Sequence, residues 1–173
     1  ATDNSVTGVA FLYRNTRLPG GRTLEAEAWF QQSDTRNLIG NDGARGFGIR
    51  LPSSTGIRVG AGIKEFEANF NPALGFISRP GVTDTTFDLS YTRRPRSGPI
   101  QSFKTSVDAQ RFDIISGSLQ SQSLNIRPFN LSNRTGDNVD MIHRRYTEVL
   151  FADVNISGNV TMPSGRYEFH DTG

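Results

Sequence analysis

The chain has 173 residues, enough for one domain with a hydrophobic core, and a formal net charge of +2 at pH 7. Hydrophobic residues make up 35% of it, and twelve Phe recur in regular patterns, which excludes a long disordered chain. Cysteine is absent, which excludes disulfides and thiol chemistry, and the two histidines exclude nearly every zinc-site template. No stretch approaches the roughly 18 apolar residues of a membrane helix, and no signal peptide precedes the first apolar run.

Apolar and polar residues alternate from the N-terminal region onward, which predicts β-strands. Val9, Phe11 and Tyr13 share one face of the first predicted strand, and the turn LPGG (18–21) follows it. The next strand contains LEAEAWFQQSDT. Its apolar face has Leu24, Ala26, Ala28 and Phe30, and its polar face has Glu25, Glu27, Trp29 and Gln31.

Four further segments repeat this period of two. They are GFGIRL, IRVGAGIKE, TDTTFDLSYTRRP and SFKTSVDAQRF. An irregular connection, EANFNPALGFISRPG (67–81), separates the second from the third of these. After Gly117 the alternation weakens, although SLQSQSLNIRPF, DNVDMIHRRYTEVLF and the ends of VTMPSGRYEFHD are typical of strands. We therefore predict about eight to ten strands and essentially no helix, in one domain spanning 1–173.

The polar faces contain charges of both signs, and residues of opposite charge can pair across neighbouring strands. We select eight candidate binding residues from these faces. They are Glu25, Glu27, Trp29, Arg58, Lys64, Asp88, Lys104 and Asp108. A barrel interior and a solvated sheet face both accommodate such a mixture, so the pattern by itself does not distinguish them. Seventeen of the 19 basic residues are Arg, which pairs in a planar fork with carboxylates and phosphates.

The remaining motifs are weak evidence for catalysis or for ligand binding. Gly46-Phe-Gly48 and Gly60-Ala-Gly62 begin like a dinucleotide fingerprint, but the third glycine and the following helix are missing. Glu25 and Glu27 have a spacing compatible with glycoside hydrolysis but no predicted cleft, so a hydrolase is the least favoured of three interpretations. The basic loop Arg93–Arg96 can meet phosphates, but no aromatics are interleaved with it as in nucleic-acid interfaces. We predict no catalytic residue, metal, cofactor or nucleic-acid partner.

Three segments carry a resemblance to a known family. FLYRNTRLPGGRTLEAEAWFQQSDT (11–35), GIKEFEANFNPALGFISRPGV (62–82) and, more loosely, SGSLQSQSLNIRPF (116–129) resemble a bacterial family of unknown function. Its chains join an N-terminal domain similar to family 9 carbohydrate-binding modules to a C-terminal outer-membrane β-barrel. The resemblance covers most of this chain and lies entirely in the barrel part. It implies that residues 1–173 are a segment of a longer chain, without the carbohydrate-binding-like domain.

These observations predict an all-β fold: an antiparallel up-and-down β-barrel, either a complete small barrel or a fragment of a larger one. In this interpretation Leu24, Ala26, Ala28 and Phe30 face lipid, and the eight candidate residues face the interior. The expected function is non-catalytic, in glycan binding or passage at the bacterial outer membrane. The expected partners are the lipid bilayer, lipopolysaccharide and an oligosaccharide. The alternative is a secreted or periplasmic soluble β-sandwich or jelly roll that binds glycans or forms a shell, and the weak second half of the chain favours it.

Overall fold

The computed structural model describes residues 4–72, 75, 77, 79–158 and 160–173, which form strands and connections without a helix. No helix in this part of the chain is long and apolar enough to cross a membrane. The eleven strands are β1 (Asn4–Leu18), β2 (Arg22–Thr35), β3 (Gly43–Leu51), β4 (Gly56–Phe66), β5 (Val82–Arg93), β6 (Ile100–Ile114), β7 (Leu119–Asn133), β8 (Asn138–Leu150), β9 (Val154–Ser157), β10 (Val160–Met162) and β11 (Gly165–Thr172).

Nine strands form a single antiparallel sheet in the order β1-β2-β3-β4-β5-β6-β7-β8-β11. Strands β9 and β10 form a separate hairpin within the connection from β8 to β11. The prediction of an all-β, antiparallel, up-and-down sheet is therefore confirmed. Within the described residues β1 pairs only with β2 and β11 only with β8, so the sheet is open. An open sheet is compatible with a barrel fragment and also with the sandwich alternative.

Local sequence accounts for the turns and for one irregularity in the ladder. Gly20 and Gly21 adopt φ of 78° and 69°, a left-handed conformation that glycine adopts without strain, so LPGG closes the β1–β2 hairpin. The register of β7 shifts between Ile126 and Phe129 against β8, and between Arg127 and Asn130 against β6. Pro128 lies in both intervals, and a proline cannot donate a ladder hydrogen bond, which explains a bulge there.

Little of the chain is buried. Among the described residues, the buried hydrophobic side chains are those of Ala44, Phe70 and Val82. They lie at one end of the sheet beside connection 67–81, where the Trp29 ring is 6.1 Å from Phe66 and Phe66 is 6.5 Å from Phe70. Residues 73, 74, 76 and 78 of the predicted irregular connection lie outside the described residues. Most large apolar side chains on the strands are exposed, so the sheet has no second layer among the described elements.

Gly46 allows the single tryptophan of the chain to lie flat against β3. A Cβ atom at position 46 would be 2.5 Å from Cε2 of Trp29, so Gly46→Ala forces the ring to move. Overpacking of this kind costs about 1–3 kcal/mol. We expect Gly46→Ala to lower the free energy of unfolding by this amount and to shift the fluorescence maximum of Trp29.

Gly62→Ala is the matched control, because its Cβ would meet the Thr86 hydroxyl at 3.2 Å, a contact that small adjustments relieve. Equal effects of the two substitutions on Trp29 emission would contradict the proposed packing of Trp29 on Gly46.

Candidate functional site

The strand registers assign every strand residue to one of two faces, because directly opposed residues of antiparallel strands point to the same side. All eight candidate residues lie on one face, which we call the charged face. They come from four strands: Glu25, Glu27 and Trp29 from β2, Arg58 and Lys64 from β4, Asp88 from β5, and Lys104 and Asp108 from β6. The sequence pattern therefore grouped them correctly, although it did not predict their partners.

Ion pairs on the charged face join neighbouring strands. Glu25 on β2 lies between two arginines, with Arg14 Nε at 3.2 Å and Arg50 Nε at 2.6 Å from its carboxylate oxygens. Arg58 Nε is 3.3 Å from Asp88. The pair Glu25–Arg50 connects directly opposed residues of β2 and β3, and Arg14 is directly opposed to Glu25 on β1. Three strands are thus joined by one carboxylate.

Several residues of this network are not among the eight candidate residues. Arg14 and Arg50 were missed because their roles depend on the β1–β2 and β2–β3 registers. On the far strands, Arg127 pairs with Asp140 at 3.0 Å and Arg144 pairs with Asp171. Counting outward from the Leu18–Arg22 pair at the turn would oppose Arg14 to Ala26, because the β1–β2 register shifts between Asn15 and Leu18. The β7 and β8 pairs follow a bulge that residue counting cannot locate.

Four glycines in the interior of β3 and β4, Gly46, Gly48, Gly60 and Gly62, lie on the charged face and leave it shallow. Gly46 is covered by Trp29, and a Cβ at Gly60 would collide with Asp88. Gly48 and Gly62 lie directly opposite each other between them. The glycine pairs that resemble a dinucleotide fingerprint therefore let side chains of neighbouring strands lie close to the backbone.

The described residues of connection 67–81 contact the charged face at one end of the sheet. The Asn71 amide donates to Ser33 Oγ at 3.0 Å, and the Asn71 carbonyl accepts from Asn4 Nδ2 at 3.2 Å. Arg79, at the other end of the connection, donates to Ser121 Oγ and lies 4.6 Å from the centre of the Phe112 ring. These contacts reach β1, β2, β6 and β7, and Arg79 also lies 3.9 Å from Glu148 on β8, all on the same face.

The opposite face has a continuous apolar stretch on eight strands, which we call the apolar belt. Its members are Val9, Phe11, Tyr13, Leu24, Ala26, Ala28, Phe30, Phe47, Ile49, Leu51, Ile57, Val59, Ala61, Ile63, Phe87, Leu89, Tyr91, Phe103, Thr105, Val107, Ala109, Leu124, Ile126, Phe129, Leu131, Val139 and Met141. Phe11 is 63% exposed and Phe47 52% exposed. The Thr105 hydroxyl donates to the Arg127 carbonyl at 3.1 Å, which satisfies a polar group within the belt.

The apolar belt crosses the sheet obliquely. The row of directly opposed residues through its middle on β1 is Phe11, Ala28, Phe47, Ile63, Thr85, Arg111, Gln122 and Thr147. This row becomes polar from β5 onward because the belt moves away from it. On β5, four strands from β1, the middle of the belt is Leu89, four residues beyond Thr85. On β8, seven strands from β1, the middle is position 140, seven residues from Thr147. The belt therefore advances by about one residue per strand.

Both borders of the belt have distinct composition. Aromatic residues occupy border positions: Phe30, Phe47 and Phe87 on one side and Tyr13, Tyr91 and Phe103 on the other. Beyond the first border the same face carries ion pairs between neighbouring strands or within one strand. These are Arg45–Glu65 at 2.6 Å, Arg111–Asp113 at 2.7 Å and Arg145–Glu168 at 2.9 Å. The belt is thus bounded by aromatic and then by charged residues.

Comparison of the chain with protein-family models, curated proteins and solved structures found no match. The class that the geometry defines is an open antiparallel β-sheet with one charged face and one exposed apolar belt.

Glu25 offers a direct test of the ion-pair network, because Glu27 is a matched control two residues away on the same strand and face. Glu25→Gln leaves Arg14 and Arg50 facing each other without their shared carboxylate, whereas Glu27 has no ion pair among the described residues. Exposed ion pairs each contribute about 0–1 kcal/mol. We expect Glu25→Gln to lower the free energy of unfolding by up to about 1 kcal/mol and Glu27→Gln to leave it nearly unchanged, as measured by denaturant titration. A larger loss for Glu27→Gln would refute the assignment.

Proposed function

We propose that this chain forms part of the wall of an outer-membrane β-barrel, with the apolar belt against lipid and the charged face toward the interior. In this proposal the protein is not an enzyme, and its charged face binds or passes glycans. The observation that carries the proposal is the oblique course of the apolar belt across the strands.

The slope of the belt corresponds to the strand tilt of a barrel. An advance of one residue, about 3.3 Å, for each strand spacing of about 4.8 Å gives a tilt of about 35°. Transmembrane barrels have strands tilted by about 35–45°. An apolar belt that is parallel to the membrane plane must cross tilted strands obliquely. Each strand is displaced along its axis relative to its neighbour, so the membrane-facing residues shift by about one position from strand to strand.

The height and borders of the belt also support the proposal. Four alternating residues span about 20 Å along a strand, and their side chains extend this toward the roughly 25 Å band of outer-membrane barrels. Aromatic residues at both borders are typical of the two membrane–water interfaces. A soluble sandwich requires a second layer over this same surface, and the described elements provide none.

The charged face supports an interior role. Carboxylates and guanidinium groups pair across neighbouring strands on it, and Asn71 and Arg79 of connection 67–81 contact it at one end. The long loops of barrels commonly plug their interiors in this way. Trp29 shares a strand and a face with Glu25 and Glu27, and its ring covers Gly46, which is directly opposed to Lys64. An aromatic ring and charged groups on one face are suited to sugar rings and hydroxyls. The resemblance of segments 11–35 and 62–82 to chains with a carbohydrate-binding-like domain is the reason for proposing a glycan.

The first test is solubility with and without detergent, followed by electrophoresis of the detergent-folded protein before and after boiling. A detergent requirement and a change in migration on boiling would support the barrel. A monodisperse, β-rich protein in plain buffer would overturn it and make a soluble glycan-binding sandwich the leading function.

Substitutions on β5 test the level of the belt. Leu89→Arg introduces a cation at the middle of the belt, whereas Thr85→Arg introduces one on the same strand and face beyond its border. Arg at the bilayer midplane destabilises barrels by about 2–4 kcal/mol and near the interface by about 0–1 kcal/mol. We therefore expect Leu89→Arg alone to impair folding into vesicles strongly. Equal effects of the two variants would contradict the assigned belt.

Glycan binding is tested separately with the vesicle-inserted protein. We expect linear oligosaccharides to change the emission of Trp29 and Trp29→Ala to weaken binding at least tenfold in calorimetric titration. Tyr146→Ala is the control, because Tyr146 lies on the same face but on β8. No binding across neutral and acidic oligosaccharides would refute the glycan role while leaving the barrel intact.

A further inference from the structure

The two ends of the sheet differ in the length and charge of their connections. At one end the connections are short: 19–21, 52–55, 94–99 and 134–137. At the other end they are 36–42, 67–81, 115–118 and the stretch 151–164 that contains the β9–β10 hairpin. The connections 19–21, 52–55, 94–99 and 134–137 contain three arginines and one acidic residue, Asp137, and the strand ends next to them add Arg17, Arg22 and Arg93. The four connections at the other end contain two arginines and three acidic residues.

Arginines at the short-connection end also lack ionic partners. Five of them are exposed and have no ion pair among the described residues, and we call this group the basic rim: Arg17, Arg22, Arg93, Arg94 and Arg96. By contrast, Arg45, Arg111 and Arg145 beyond the opposite border of the belt are each paired with a carboxylate. Arg36, in a connection at the long-connection end, is the other described arginine without such a partner or a carbonyl contact.

The remaining charges at this end are held within the turns. Arg134 donates to the carbonyls of Gly98 at 2.9 Å and Pro95 at 3.0 Å, so it joins two neighbouring connections. Asp137 accepts hydrogen bonds from Asn133 Nδ2 and Thr135 Oγ1, and these bonds lower the pKa of its carboxyl group. Its carboxylate is therefore held in its own turn and forms no ion pair with an arginine of the basic rim among the described residues.

The position of the basic rim relative to the apolar belt suggests its ligand. Arg22 lies two residues from Leu24, and Arg93 lies two residues from Tyr91, both at the edge of the belt. Successive connections are separated by two strand spacings, about 10 Å, so the rim extends along the edge of the sheet rather than around one pocket. A single small anion cannot contact the whole basic rim. A layer of phosphates at the level where the apolar belt ends can contact all of it.

We propose that the basic rim binds the phosphates of anionic lipid headgroups at the membrane surface next to the short connections. The proposal rests on the barrel function and adds an orientation, since the long connections then lie on the other side of the membrane. Guanidinium groups bind phosphate in a bidentate manner, and each basic residue near an anionic surface strengthens attachment about fivefold. The rim would fix the vertical position of the wall in the bilayer.

The test compares vesicles of phosphatidylcholine alone with vesicles containing 30% phosphatidylglycerol. The variants are the triple substitution Arg93→Gln, Arg94→Gln, Arg96→Gln and the control Arg45→Gln, Arg111→Gln, Arg145→Gln, which removes the same charge from the opposite border. We expect wild type and control to partition into anionic vesicles at least tenfold better than into neutral ones, with the advantage falling in high salt. The rim variant loses most of this advantage.

The outcomes separate this inference from the barrel itself. Equal insertion of the wild type into both vesicle types would overturn the rim proposal and leave the barrel standing. Failure to insert into either would refute the barrel function. An unchanged advantage in the rim variant, or an equal loss in the control, would overturn the rim. Binding of the detergent-free protein to double-stranded DNA with the same dependence on Arg93, Arg94 and Arg96 would identify a nucleic acid instead and overturn it as well.

Discussion

The structure depends on one constraint, the conservation of side-chain phase across the seven successive strand pairings from β1 to β8. A slip of one residue in any register would turn a whole strand over and expose its apolar residues on the charged face. The observed registers keep the belt residues on one face of the sheet, from Val9 on β1 to Val139 on β8. Because few apolar residues are buried, the phase is fixed by the ladders and turns and by cross-strand pairs such as Arg14–Glu25–Arg50, with little help from a packed core.

The bulge in β7 shows how that phase is kept where the sequence alternation fails. Before the bulge the belt residues are Leu124 and Ile126, and after it they are Phe129 and Leu131. Their numbers change from even to odd, so a strict period of two cannot fit both halves. The extra residue beside Pro128 restores the second pair to the apolar face. This is why the sequence pattern weakens in a region where the structure continues without interruption.

Much of the architecture could be predicted from sequence because alternation and turn residues are local properties. The two faces of β2 and the grouping of the eight candidate residues follow from period two alone. The partners of Glu25 could not be predicted, since they depend on the registers of two hairpins. The slope of the belt could not be predicted either, because it depends on the registers between neighbouring strands. The sequence of each strand by itself shows only that the strand is amphipathic. The contact of connection 67–81 with the charged face depends on hydrogen bonds from Asn4 and Arg79, and sequence periodicity does not predict these hydrogen bonds.

The odd number of strands in the sheet limits how it can close into a barrel. In a meander of nine strands the first and last run the same way, so β1 and β11 are oriented in parallel. Joining these two edges directly would require one parallel ladder in an otherwise antiparallel sheet. A wholly antiparallel ring needs an even number of strands, so whatever completes it must contribute an odd number. Two copies of this sheet with the same face inward therefore cannot form a closed barrel in which β11 of each copy pairs antiparallel with β1 of the other.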